Sequence, residues 1–256
     1  SIDNIKNILE TQGNEIALTL IGGVNYYTGQ LYDIKTITQL GHAHGCVVGF
    51  DLAHAAGNID LHLHEDGPDF AAWCSYKYLN SGPGSLSGCF VHEKHHHSDL
   101  PRFAGWWGHD KATRFLMGDE FQPIQTAEGW QLSNPPVLSM AAIRASLDLF
   151  AEAGIDRLRS KSVKLTAYLA DLLAEIHDEN IKIITPSDPS SRGCQLSIQM
   201  IKPDKKLFNY LTENGVIADW REPDVIRVAP VPMYNSFEDV WQFCRILKDG
   251  LSHLKA

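Results

Sequence analysis

An acid and an amine at the ends of two short apolar runs carry the strongest chemical signal in this chain. Residues 46–50, CVVGF, lead to Asp51, with His54 shortly after; residues 70–74, FAAWC, lead to Ser75-Tyr76-Lys77 and the turn-forming Asn80-Ser81-Gly82-Pro83-Gly84. Each run is too short for a buried helix and suits a buried parallel strand. In an open α/β sheet, ligands bind in the crevice outside the carboxyl ends of the strands, so on neighbouring strands Asp51 and Lys77 would face one crevice. The interval between them has room for a crossover and a return strand. A lysine amine can hold pyridoxal phosphate as a Schiff base, and a carboxylate opposite the pyridine nitrogen keeps that nitrogen protonated. Each residue alone has a plainer explanation, a helix cap for the Asp and a solvated side chain for the Lys. Their joint occurrence, with His54 and Tyr76 alongside, favours the cofactor.

Other residues stand in suggestive loops. PRFAGWWGH (101–109) and QLSNPP (131–136) place Trp106, His109 and Asn134 among aromatic and amide groups, a set suited to an aromatic amine substrate and a phosphate or carbonyl contact. Core filling is the competing explanation for a tryptophan. Arg227, in VIRVAP, is flanked by apolar neighbours; an arginine is almost never buried unpaired, and its planar fork fits a carboxylate, from a structural Asp or Glu or from a ligand. The tract VHEKHHHSD contains His92, His95, His96 and His97, but no Cys or carboxylate pattern accompanies it, so it reads as a solvated loop and no metal is expected.

These residues need a scaffold, and the pattern around them alternates helix and strand. Residues 3–12 carry a helical apolar face, with Gly13-Asn14 as its C-cap. Residues 16–21 read as a buried strand running into the polar loop 22–29. Residues 34–44 supply a crossover helix with Asp33 as N-cap, leading into the Asp51 strand. Residues 85–92 form a further strand, antiparallel because a parallel return would need a longer crossover. After Pro136 long helices appear (137–153, 155–177), then strands at 181–185, 193–200, 216–220 and 225–228 with helices at 205–214 and 236–251. We therefore divide the chain into 1–136 and 137–256.

Composition bounds the possibilities. With 256 residues, 44% of them apolar, the chain has material for one large or two ordinary domains. A formal charge of −9 argues against a nucleic-acid surface. The 5 cysteines form no CxxC pair, and Cys46, Cys74, Cys89 and Cys194 lie in apolar strand-like runs, so a disulfide framework is not expected. No apolar run suits a membrane span and the first residues show no signal-peptide pattern; the cytoplasm is the default expectation.

The strings GFDLAHAAGN, DFAAWCSYKYLNSGPG, GWWGH, SNPP and IRVAPVPMYNSFEDV resemble the kynureninase family, fold-type I pyridoxal-phosphate enzymes related to class V aminotransferases, and the similarity runs over nearly the whole chain. The resemblance implies an α/β fold: part of a three-layer αβα large domain, then a smaller carboxyl-terminal α/β domain. It implies hydrolysis of L-kynurenine or 3-hydroxykynurenine to anthranilate or 3-hydroxyanthranilate and L-alanine, in tryptophan catabolism and NAD biosynthesis, by a homodimer with a shared active site. Carried onto this sequence, Lys77 would bind the cofactor and move the substrate α-proton, Asp51 would face the pyridine nitrogen, His54 would lie near the ring, and Tyr76 would contact the phosphate or assist proton transfer. Trp106 and Asn134 would reach the neighbouring subunit's cofactor and the substrate, His109 would serve the substrate's aryl end, and Arg227 would take its α-carboxylate. Where the family has a small hydroxyl residue touching the cofactor this chain has Gly22, with Asn25 or Thr28 as candidates to compensate. The chain also begins as though in the middle of a fold, so the amino-terminal part of the family's length is expected to be absent. Two rivals remain. One is another class V enzyme such as a cysteine desulfurase, which would need a nucleophilic cysteine on a mobile loop; the other is a fragment that does not bind the cofactor.

Overall fold

The computed structural model describes residues 1–254. They divide into two units: residues 1–23, 32–56 and 61–149 form the first, and residues 24–31, 57–60 and 150 onward form the second.

In the first unit, α1 (Ile2–Gln12) begins at Ser1, whose hydroxyl accepts the Asn4 amide. Gly13 does not close α1 in the left-handed region as the Gly-Asn pair suggested; it stays right-handed and opens a 3₁₀ turn. The glycine is needed for proximity: a Cβ there would lie 2.7 Å from the His44 Cβ. Next come β1 (Leu18–Gly22), α2 (Ile34–Ala43), β2 (Val47–Asp51), the single turn α3 (Leu63–Asp66), β3 (Phe70–Cys74) and β4 (Ser87–Val91). Asp33 caps α2 as expected, accepting from the Thr36 amide at 3.0 Å. The strands lie in the order β1-β2-β3-β4, the first three parallel and β4 antiparallel. The 2 strands that end near Asp51 and Lys77 are thus direct neighbours.

Only one face of β1 and β2 is covered. Val48 and Phe50 are fully buried, with Ile34 and Ile37 of α2 also in the core. Each such side chain contributes about 1.5–3 kcal/mol when removed from water. Gly41 lets α2 approach, since a Cβ there would sit 2.5 Å from a Val48 methyl. On the other face Leu18, Leu20 and Val47 remain 46%, 56% and 45% exposed. The apolar runs had been read as strands buried on both sides; the structure corrects this, because α2 covers one side of the pleat and the alternating residues point the opposite way.

The helix α4 (Val137–Ala153) crosses from the first unit to the second within its length. The second unit continues with α5 (Ile155–Glu175), β5 (Ile181–Ile183), β6 (Leu196–Met200), α6 (Lys206–Glu213), β7 (Asp219–Arg221), β8 (Val225–Val228) and α7 (Phe237–His253). Its sheet has the order β5-β6-β8-β7, antiparallel throughout. Leu165, Leu169 and Leu173 of α5, Leu207 and Leu211 of α6, and Leu247 of α7 join Leu196, Ile198 and Ile226 of the strands in one core. A full capping box at Ser236 and Asp239 starts α7.

The strand expected at 216–220 forms later, at β7. The Val216 amide donates back to Leu211 at 2.9 Å, and Gly215 is left-handed at φ 84°, so Val216 closes α6 instead of extending into a strand. Residues 24–31 belong to this unit through hydrogen bonds. Thr185 donates to the Thr28 carbonyl at 2.6 Å, Gln195 to the Tyr26 carbonyl at 3.2 Å, and the Tyr27 hydroxyl to Asp224 at 2.5 Å. The Asp224 bond, reinforced by burial and the carboxylate charge, pushes the Tyr27 phenol up to about 12.

Candidate active site

β2 delivers Asp51 to its carboxyl end, and one Asp51 oxygen accepts the Ala53 amide at 2.9 Å, closing a turn that directs the chain to His54. The parallel partner β3 stops at Cys74, and Ser75-Tyr76-Lys77 turns across the same edge. There the Lys77 Nζ comes to 3.1 Å from His54 Nε2. His54 also packs edge-on against the Tyr78 ring at 5.9 Å, and the ammonium lies 6.0 Å from the Tyr76 centroid. Tyr76 is exposed; a hydrogen bond with Cys74, then the Cys74 charge and slight burial, push its phenol up.

Three serines hold the lysine loop in shape. The Ser81 hydroxyl donates to Ser75 Oγ at 2.7 Å, Ser85 Oγ lies 2.6 Å from Ser81 Oγ, and the fully buried Ser75 hydroxyl donates to the Leu86 carbonyl. Asn80, at φ 57°, and left-handed Gly82 and Gly84 make the bends between them. Sequence reasoning read this stretch only as a turn; the spacing of three serines around it was the available signal.

Trp106 makes ring contacts with Trp107 at 5.4 Å and Phe115 at 5.9 Å, while Arg114 lies over both tryptophans. His109 Nε2 is 3.1 Å from the Thr113 hydroxyl and its ring abuts Phe121 at 5.7 Å. Exposed Asn134 accepts from Ser133 at 3.2 Å. The structure therefore brings His54, Tyr76 and Lys77 together beyond the carboxyl end of β2, which Asp51 closes, and gives Trp106, His109 and Asn134 contacts within residues 106–134. Arg227 belongs to the second unit, where it pairs with Asp219 and the Tyr26 carbonyl. Asn25 and Thr28 are engaged in their own turn: Asn25 accepts the Tyr27 and Thr28 amides and Thr28 the Gln30 amide.

The cysteines offer no exposed loop nucleophile: Cys46, Cys194 and Cys244 are buried, Cys74 lies in β3 and Cys89 in β4. Burial pushes the Cys194 and Cys244 thiols up to about 12. The histidine tract is more engaged than a solvated loop. His95 lies 2.7 Å from one Asp69 oxygen, which Lys94 also meets at 2.7 Å, and His42 lies 2.8 Å from the other. A hollow of about 470 Å³ in the second unit, beside Leu169, Val216, Val228 and Phe243, is lined by none of the candidate residues.

Residues 158–247 match the model of the kynureninase C-terminal domain. A kynureninase from Flavobacterium psychrophilum is 57% identical over 254 residues, covering 98% of this chain and 60% of the relative. One from Myxococcus xanthus is 55% identical over 247 residues, covering 96% and 58%. The chain is similar in sequence to these kynureninases over nearly its whole length. It spans about 60% of the length of the curated kynureninases it matches. Among solved structures, a cysteine desulfurase of Escherichia coli superposes with a TM-score of 0.79 at 18% identity, over 96% of this chain and 62% of that one. A C-DES mutant with glycine covalently linked to its PLP cofactor gives 0.78 at 18% identity, over 96% and 63%. At such identities these likenesses show the fold, the α/β architecture of fold-type I enzymes, while the kynureninase likeness lies in the sequence. No helix among the described residues is long and apolar enough to cross a membrane.

Proposed function

We propose that this chain is the greater part of a pyridoxal-phosphate-dependent kynureninase, which uses water to cleave the Cβ–Cγ bond of L-kynurenine or its 3-hydroxy form, releasing the anthranilate and L-alanine. The observation that carries this reading is the 3.1 Å contact between Lys77 and His54, which brings an amine to the sheet edge where the Asp51 carboxylate ends the neighbouring strand. The donor set fits the cofactor: a primary amine for its aldehyde, a carboxylate for its pyridine nitrogen and an imidazole for its ring face. Bound there, the cofactor supplies an electron sink for a carbanion at Cα. Lys77 then holds and moves the α-proton, positioned by His54 and by the serine-locked loop. Tyr76, exposed beside Lys77, has a phenol hydroxyl that can donate a hydrogen bond to phosphate or a proton to the carbanion at Cβ. Arg227 takes the α-carboxylate.

Trp106 and Asn134, with His109 at the aryl end, serve the site of a second copy, so the active form is a homodimer, and we place it in the cytoplasm. Supporting this are the exposure of Trp106 and Asn134 and their separate cluster of contacts. The deciding assay supplies the protein with pyridoxal phosphate and L-kynurenine. Anthranilate and alanine are expected in equal amounts; keto-acid or sulfide formation without anthranilate would assign it to another class V reaction. A second reading is favoured by the chain's spanning about 60% of its relatives: alone, it is an incomplete site that does not retain the cofactor. Equilibrium dialysis against pyridoxal phosphate separates the two, since retention with no turnover and no retention are distinct results.

A further inference from the structure

The one side chain that α4 buries is polar: Ser146 is 6% exposed, while Val137, Leu138, Leu147 and Leu149 of the same helix stay exposed. A serine inside a helix commonly turns its hydroxyl back to the carbonyl four residues earlier. Ser146 Oγ instead donates to the Leu79 carbonyl, 67 residues away in sequence. Leu79 stands two residues after Lys77, and Ser146, Leu79 and Lys77 all belong to the first unit. That carbonyl is one end of the peptide group joining Leu79 to Asn80. The other end, the Asn80 amide, donates to the Lys77 carbonyl at 3.0 Å. A peptide group is planar and turns as one piece, so a hydroxyl that fixes its oxygen also fixes the direction of its N–H. Ser146 thereby holds the backbone of Lys77 through a single rigid plane. Asn80 itself is left-handed at φ 57°, a conformation that persists where its neighbours hold it. Two residues before the lysine, the Ser75 hydroxyl is anchored to the Leu86 carbonyl. The segment that carries Lys77 is thus pinned at both ends, and its amine emerges 3.1 Å from His54.

We propose that Ser146 is a positioning residue: from α4 it locks the Leu79–Asn80 peptide and so sets the backbone from which the Lys77 amine meets the aldehyde of the cofactor. This rests on the assignment of Lys77 to pyridoxal phosphate. Ser146 acts through the peptide plane, so its loss lets the amine sample positions away from His54 while the sheet beneath keeps its register.

The test incubates the protein with pyridoxal phosphate, reduces the product of amine and aldehyde with borohydride, and follows by peptide mass spectrometry how fast label accumulates on each lysine; no turnover is needed. In the parent, Lys77 labels fastest. Ser146→Ala keeps a good helix former in α4 and is expected to slow labelling of Lys77 about five- to tenfold, the size of one hydrogen bond, with the other lysines unchanged. Ser146→Thr, which restores a hydroxyl, recovers part of the loss. Ser162→Ala is the control: Ser162 is fully buried in the second unit with no hydrogen-bond partner for its hydroxyl among the described residues, and its replacement leaves Lys77 labelling at the parent rate. Equal Lys77 labelling in the parent and in Ser146→Ala, or a slowing that Ser162→Ala matches, would overturn the positioning role and leave Ser146 a packing contact. If Lys77 labels no faster than the other lysines in the parent, the assignment of Lys77 itself fails and the positioning role falls with it.

Discussion

Lys77 owes its interest to its surroundings: an imidazole at 3.1 Å, a tyrosine ring on either side in sequence and a carboxylate closing the adjacent strand. Among the side chains at this edge, its primary amine is the one that can condense with an aldehyde, and charge alone does not replace it. Lys77→Arg keeps the cation and is expected to abolish the visible absorbance of bound pyridoxal phosphate and to lower turnover by about a hundredfold or more; a spectrum unchanged from the parent would remove Lys77 from the centre of the site. The positions of Asp51 and Lys77 near strand ends were legible in the sequence, because Asp51 directly follows one short apolar run and Lys77 stands three residues beyond another. The pairing of Asp219 with Arg227 was not, because it depends on the register of β7 against β8, which is a tertiary feature.

At the level of single elements, the turn after β3 is held by hydroxyl groups. Ser75→Ala removes the group that meets Ser81, Ser85 and the Leu86 carbonyl, leaving buried polar atoms without partners. A loss of about 1–3 kcal/mol is expected, read as a lower urea midpoint with an unchanged slope. The start of β3 is tied down in a comparable way. Burial alone would raise the Asp69 carboxyl, but Lys94, the Val48 amide, His42 and His95 together hold it well below the usual carboxylate range. A depressed folded-state pKa means stability that is present above the unfolded value of about 4 and lost as pH falls through the folded value. Asp69→Asn should therefore lower stability at pH 7 by about 1–3 kcal/mol and flatten the decline of the parent below about pH 4; parallel acid profiles would show that Asp69 does not carry the linkage. Periodicity made α2, β2, β3 and α4 readable almost to the residue. It gave no hint that the histidines after β4 converge with His42 on one carboxylate, because such convergence is tertiary.

For the whole molecule, the main departure from sequence expectation is the uncovered side of the first sheet. Leu18, Leu20 and Val47 were read as core because their runs are apolar on both phases of the pleat, and composition cannot say which phase finds a covering layer. Apolar side chains standing together on an uncovered face are expected to favour self-association. Leu20→Lys, at a position 56% exposed, is expected to reduce light scattering at high concentration while leaving the thermal midpoint within a few degrees of the parent; a large drop in that midpoint would mean that Leu20 is structural after all.

Strand alternation puts Asp51 in the same row of side chains as Val47, on that bare side. Whatever layer comes to rest on those aliphatic groups also displaces water from around the carboxylate, and in a drier setting a charge holds an opposite charge more strongly. The pairing proposed for Asp51 with a protonated ring nitrogen would gain strength from any such cover, so what lies on this face of the sheet would tune the acid at its end.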